Sequence, residues 1–115
     1  MIAMVWQFEV QRGKQEAFEQ FYGADGPWSA MSRRSRSFLG SSFLRNQAQS
    51  THYVLVEYWS EMVVYEKHVA NFTEEVARLE RERDELCVSV QPMGLFTGID
   101  VPDRFGPTWS RRDGV

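Results

Sequence analysis

A carboxylate, an indole and an imidazole fall within one short stretch of this chain. Glu57 and Trp59 close the run Tyr53-Val54-Leu55-Val56-Glu57-Tyr58-Trp59, and His68 follows nine residues after Trp59. His68 is the natural acid/base candidate, because an imidazole titrates close to neutral pH. Glu57 can serve as a base if burial raises its pKa. Trp59 offers a face on which an aromatic ligand can stack. Tyr65 precedes His68 by one helical turn and can share its site. Trp28 follows Gly26-Pro27 and suits a lid over an aromatic pocket. Arg45 and Asn46 end a strand, where they can hold an oxyanion. Each residue also has a plainer role. The indoles can be core, His68 can be a hydrogen-bonded surface histidine, Glu57 a salt-bridged carboxylate, and Arg45 and Asn46 a solvated strand end.

The elements that must position these residues follow from periodicity. Residues 2–11 alternate strictly, with Ile2, Met4, Trp6, Phe8 and Val10 on one side, which predicts a strand. After a turn at Gly13, residues 14–22 carry Ala17, Phe18 and Phe21 at helical spacing. A second short helix is expected from Trp28 to about Ser35, with Pro27 suited to its first turn. Strands follow at Phe38–Gln47, with Gly40 as a bulge, and at residues 52–59. Ser60 is a fitting N-cap for a helix over 61–70. Asn71 and Glu74 read as the capping box of a further helix with Phe72, Val76 and Leu79 as its buried stripe. The charges from Glu74 to Glu85 form its solvated face, with Glu74–Arg78 and Arg78–Glu82 at i,i+4. A last strand spans Leu86 to Phe96. The order β-α-β-β-α-β predicts an α+β, ferredoxin-like fold over residues 1–97, followed by a C-terminal tail over 98–115.

The alternation also assigns strand faces. The even face of the first strand, with Val54, Val56 and Tyr58 and with Val88 and Val90, is expected to lie under the helices. The opposite set is mixed: Val5, Gln7 and Glu9, then Tyr53, Leu55, Glu57 and Trp59, then Cys87, Ser89, Gln91 and Met93. A mixed face suits neither bulk water nor a dry core, so a second copy is expected to cover it in a homodimer with barrel-like sheet packing.

Composition narrows the function. The chain has 115 residues, which suits one domain, and 43% of them are hydrophobic, so most of the chain is not disordered. The net charge of −3 argues against a nucleic-acid partner. Arg33, Arg34 and Arg36 form the one basic cluster and read as a solvated loop. The lone Cys87 forms no intrachain disulfide and is expected to be a buried strand thiol in a reducing, cytoplasmic setting. No signal peptide or membrane span is visible. Two histidines and one cysteine lie too far apart for a metal motif, and no phosphate-cradling glycine loop is present, so no cofactor is expected.

The ordered features resemble the antibiotic biosynthesis monooxygenase family. They are Val10-Gln11-Arg12-Gly13 before a helix with Phe18, then Gly26-Pro27-Trp28, then Phe38-Leu39-Gly40-Ser41 leading into Leu44-Arg45-Asn46. Tyr53 to Trp59 and the downstream His68 complete the set. The resemblance spans about residues 3–97. It implies a dimeric α+β barrel and, for some members, cofactor-independent oxygenation of quinols and polycyclic phenols, in which the substrate's own carbanion reduces dioxygen. It also implies that Trp59 and His68 match the family's strand-end Trp and helix His, and that Glu57 matches a frequent carboxylate two before that Trp. Two departures are visible. Asn71-Phe72-Thr73 stands where many quinol-type members carry a second His. Gln7 stands where haem-degrading relatives have an Asn, and no His follows His68. Haem degradation is therefore not expected. A non-catalytic ligand-binding or interaction module on the same scaffold is the alternative.

Overall fold

The computed structural model describes residues 1–99. The elements are β1 (Ile2–Val10), α1 (Gln15–Tyr22), α2 (Pro27–Ser32), β2 (Phe38–Arg45), β3 (His52–Trp59), α3 (Met62–Asn71), α4 (Thr73–Asp84) and β4 (Cys87–Thr97). They form one antiparallel sheet in the order β2-β3-β1-β4. This is the α+β, ferredoxin-like arrangement expected from the sequence. Residues 100–115 of the expected tail lie outside the described residues. Its first residue still belongs to the sheet margin, since the Gly98 amide donates to the Met1 carbonyl at 2.9 Å.

The core forms where the aromatic face of β1 meets α1. Phe18, fully buried on α1, touches Phe8 at 5.1 Å and Tyr53 at 4.9 Å between ring centroids. Tyr22 and Phe43 extend the cluster, and Leu79 closes it from α4. Edge-to-face and tilted contacts of this kind add to the area term of burial.

Register corrects the expected strand faces. Met4 pairs with Glu57, Trp6 with Leu55 and Phe8 with Tyr53, and directly opposed residues share a face. Tyr53, Leu55, Glu57 and Trp59 therefore lie under the helices, each buried, and Val54, Val56 and Tyr58 lie on the outer face. A register shift between Glu9 and Val10 likewise turns Cys87 toward the helices and leaves Val88 exposed. Both faces of β3 carry large apolar side chains, so parity within the strand cannot tell which one goes inward.

Local signals at the helix starts were also overridden. Ser60 does not cap α3. Its Oγ pairs with Ser37 Oγ at 2.7 Å and its amide donates to the Ser37 carbonyl at 2.8 Å, tying the end of β3 to the start of β2. Asn71 is the last residue of α3 rather than a cap, and α4 follows the junction at Phe72. Of the two expected i,i+4 pairs, the one present is Arg78–Glu82 at 2.9 Å. Arg83, expected on the solvated face, is buried and approaches the Tyr22 hydroxyl at 3.5 Å. The bulge at Gly40 is present, with a register shift after Phe38 and a φ of 125°, the left-handed side that favours glycine.

Two substitutions on adjacent residues of α4 separate packing from surface charge. Leu79→Ala is expected to cost about 2–5 kcal/mol, because a fully buried leucine leaves a cavity. Arg78→Ala should cost below about 0.5 kcal/mol, because its ion pair is exposed. Urea unfolding of both variants measures the contrast, and equal losses would mean that α4 does not close the core.

Candidate functional site

Trp59 sits at the C-terminal end of β3, 1% exposed, and three aromatic groups converge on it. Phe38 lies across the strand pair at 5.1 Å, Tyr65 approaches edge-on at 4.9 Å, and the His68 ring stands at 5.4 Å. Tyr65 and His68 lie one turn apart on α3 and so share the face that meets β3. Phe72, at the junction of α3 and α4, packs against His68 at 5.0 Å. Arg34 lies over the Phe72 ring at 5.1 Å and pairs with Glu75 at 2.8 Å.

Beside this cluster, between the sheet and α2, α3 and α4, lies a cavity of about 280 Å³. Trp6, Trp28, Glu57, Trp59, Tyr65 and His68 line it, with Val76 and Glu80 from α4. Glu57 points into this layer from β3, two residues before Trp59, and is 3% exposed. The Trp28 indole Nε1 donates to its Oε2 at 2.7 Å. Gly26 makes that reach possible. A Cβ there would collide with the carbonyl oxygens of Gln20 and Phe21, so glycine alone lets the chain turn tightly into Pro27 and α2.

Burial sets the chemistry of the titratable groups. It pushes Glu57 from its ordinary 4.5 up to about 7, only partly opposed by the Trp28 hydrogen bond. It pushes Tyr65 up to about 12, helped by the negative charges of Glu57 and Glu80. It lowers His68, with Arg34 acting in the same direction and Glu75 against it. The imidazole is therefore neutral at pH 7 and able to accept a proton. Among the described residues, His68 Nε2 and Trp59 Nε1 are buried without a hydrogen-bond partner. Orphaned polar atoms of this kind are costly in a protein interior.

The structure thus brings together His68, Glu57, Trp59, Trp28 and Tyr65. It does not bring Arg45 and Asn46 to them. Arg45 pairs with Tyr53, six residues along β3 from Trp59, which at the usual strand rise is roughly 20 Å away. Arg45 is exposed and bonded to Glu19 at 2.9 Å, and the Tyr53 hydroxyl donates to the same carboxylate at 2.6 Å. Asn46 accepts the amides of Ala48 and Gln49 and so shapes the β2–β3 turn. These residues border a cleft of about 860 Å³. It lies open at the surface, and its charged groups Glu19 and Arg45 are already paired with each other. Cys87 is half-buried, and burial pushes its thiol up to about 11. It lies outside the cavity.

Trp6 and Glu80 line the cavity without having been singled out from the sequence. Glu80 was legible in principle, since Thr73, Val76, Ala77 and Glu80 follow one another at i, i+3, i+4 and i+7, a single helix face. Reading every charge on α4 as solvated hid it. Trp6 needed the β1–β3 register, which places it opposite Leu55 and beside the Met4–Glu57 pair.

The family model for antibiotic biosynthesis monooxygenases matches residues 1–78. The chain belongs to that family. Solved structures share its fold. SnoaB of Streptomyces nogalater, described as a cofactor-independent oxygenase, superposes with a TM-score of 0.72 at 20% identity, covering 88% of this chain and 95% of its own. A candidate antibiotic biosynthesis monooxygenase of Deinococcus radiodurans gives 0.71 at 12% identity, with the same two coverages of 88% and 95%. PA3566 of Pseudomonas aeruginosa gives 0.64 at 19%, covering 86% and 94%. No curated protein matches the chain.

The raised Glu57 pKa has a measurable consequence for stability. The folded protein holds this proton up to about pH 7, whereas the unfolded chain releases it near 4.5. Folding therefore takes up a proton in that window, and stability falls as pH rises through it. Glu57→Gln removes this component while leaving an acceptor for Trp28. The difference in unfolding free energy between wild type and Glu57→Gln should shift by up to about 3 kcal/mol against wild type between pH 4 and pH 8. Parallel pH dependences in urea titrations would show that Glu57 ionises as it does in water.

Proposed function

We propose that residues 1–97 form a cytoplasmic, homodimeric, cofactor-independent monooxygenase acting on a phenolic or quinol aromatic molecule. The observation that carries this reading is the pairing of a neutral imidazole with a carboxylate of pKa about 7 in one aromatic-walled cavity. The description of SnoaB as a cofactor-independent oxygenase supports it by kinship of fold.

In this reading His68 accepts the proton whose loss makes the substrate electron-rich, and Glu57 serves as the second acid/base group. For an anthrone-like methylene, the carbanion attacks dioxygen and forms a carbon–oxygen bond. Loss of the second proton from that carbon then breaks the oxygen–oxygen bond. The carbon becomes a carbonyl, and the departing distal oxygen takes up both of the protons removed from that carbon and leaves as water. The substrate supplies the electrons and dioxygen is the oxidant. Trp59 and Trp28 hold the ring, and Tyr65, protonated throughout the neutral range, can donate to a substrate oxygen.

Oxygen uptake with a panel of hydroquinones and anthrone-like phenols tests this reading. His68→Ala should slow turnover by at least about 10²-fold, whereas Trp59→Ala should mainly weaken binding. If wild type never exceeds the autoxidation background but the same phenols quench tryptophan fluorescence, a non-catalytic binding module is the correct reading. That alternative draws specific support from Asn71-Phe72-Thr73, where many quinol-type relatives have a second His.

The dimer rests on the outer sheet face. Val5, Val54, Val56 and Tyr58 form its centre, with exposed Leu44 and Phe96 on the flanking strands. Such an apolar sheet face favours a covering layer. Light scattering should report twice the chain mass of 13.4 kDa at micromolar concentration. A mass of one chain would remove the dimer.

A further inference from the structure

The cavity holds two carboxylates with no Lys or Arg beside them among the described residues. Glu57 is almost fully buried, and among the described residues its one hydrogen-bond donor is the neutral Trp28 indole. Among the described residues neither Glu57 nor the half-buried Glu80 makes an ion pair. Among the described residues, the cavity walls carry polar side chains of Ser, Thr, Glu, Trp, Tyr and His but no Lys or Arg. The two nearby guanidinium groups are engaged elsewhere. Arg34 pairs with Glu75 at 2.8 Å, and Arg83, 5.9 Å from the Trp6 ring, pairs with Asp84 at 3.0 Å. Buried carboxylates ordinarily acquire a cationic partner or stay protonated. The walls between the two acids are indoles and a phenol, whose faces attract cations.

We propose that the cavity selects aromatic ligands that carry a protonated aliphatic amine, with the ammonium answering Glu57 and Glu80 and the ring held among Trp6, Trp28 and Trp59. Such a phenolic amine would be the substrate class of the oxygenase, so the inference deepens the function proposed above and rests on it. Size agrees. At the packing density of a protein interior, a cavity of about 280 Å³ accommodates roughly 200 Å³ of ligand, enough for one or two rings with a short side chain. Among the described residues lining the cavity, an anionic ring of the same size would meet two carboxylates and no Lys or Arg.

Three phenols of nearly equal shape separate charge from size: tyramine (cationic), tyrosol (neutral) and 4-hydroxyphenylacetate (anionic). Titration calorimetry at pH 7.5 on the full chain should give tyramine an affinity at least about tenfold above tyrosol, with 4-hydroxyphenylacetate the weakest. Glu80→Gln should narrow the tyramine-to-tyrosol ratio, and Glu57→Gln should narrow it further. Glu80 is half-exposed, so its variant keeps the test valid even if Glu57→Gln folds poorly. Equal or tighter binding of the anion, a ratio unchanged by Glu80→Gln, or no binding of any probe at millimolar concentration overturns the proposal. Oxygen uptake, measured in parallel with these phenols and with hydroquinones, distinguishes the two claims. Charge-ranked binding without uptake sustains the selectivity and discards the oxygenase, and uptake without charge ranking does the reverse.

Discussion

A carboxylate buried beneath the helical layer is the constraint on which the rest of this structure depends. Glu57 sits in the middle of the sheet, under α2 and α3, with one hydrogen bond from Trp28. Placing a charged group there is unfavourable, and the protein meets the difficulty by holding the proton near neutrality rather than by supplying a cation. The position of α2 follows from the same contact. Gly26 permits the turn that Pro27 fixes, and Trp28 then extends from the first turn of the helix to the carboxylate. This short helix, which also sends Met31 into the core, is thereby tied to the sheet beside the cavity.

The sheet divides the remaining work between its faces. At one end of the inner face Phe8, Phe18, Tyr22 and Tyr53 form a dense aromatic core. At the other end the same face opens into the cavity, where Trp59, Tyr65 and His68 meet but leave polar atoms unpaired. Close packing at one end anchors the strands, and looser packing at the other leaves room for chemistry. The outer face has the opposite character, being rich in valine with a few polar residues.

Much of the candidate site was legible from residue type. A Trp ending a strand, a His and a Tyr one turn apart on the next helix, and a Trp after Gly-Pro are local patterns, and local geometry carries them into place. Glu57 was legible as a candidate base, though for a different setting. Parity placed it on a face shared with a second copy, whereas the β1–β3 register places it inside the subunit. Arg45 and Asn46 show the limit of local reading. Strand-end position suggested a site role, but the antiparallel pairing carries that end to the opposite edge of the molecule, where Glu19 and the β2–β3 turn engage them.

The amino-acid sequence by itself determined the elements, their order and hence the ferredoxin-like architecture. Alternation, helical spacing and Gly/Pro punctuation act over a few residues and survive in almost any surroundings. It also determined which residue types stand at the ends of β3 and α3. Tertiary structure alone decided which face of β3 goes inward, because that choice depends on pairing with β1, a contact between residues about fifty positions apart in the chain. It also decided the protonation of Glu57 and His68. A pKa responds to the desolvation and charge contributed by every neighbouring element, and no single segment of the chain contains that sum.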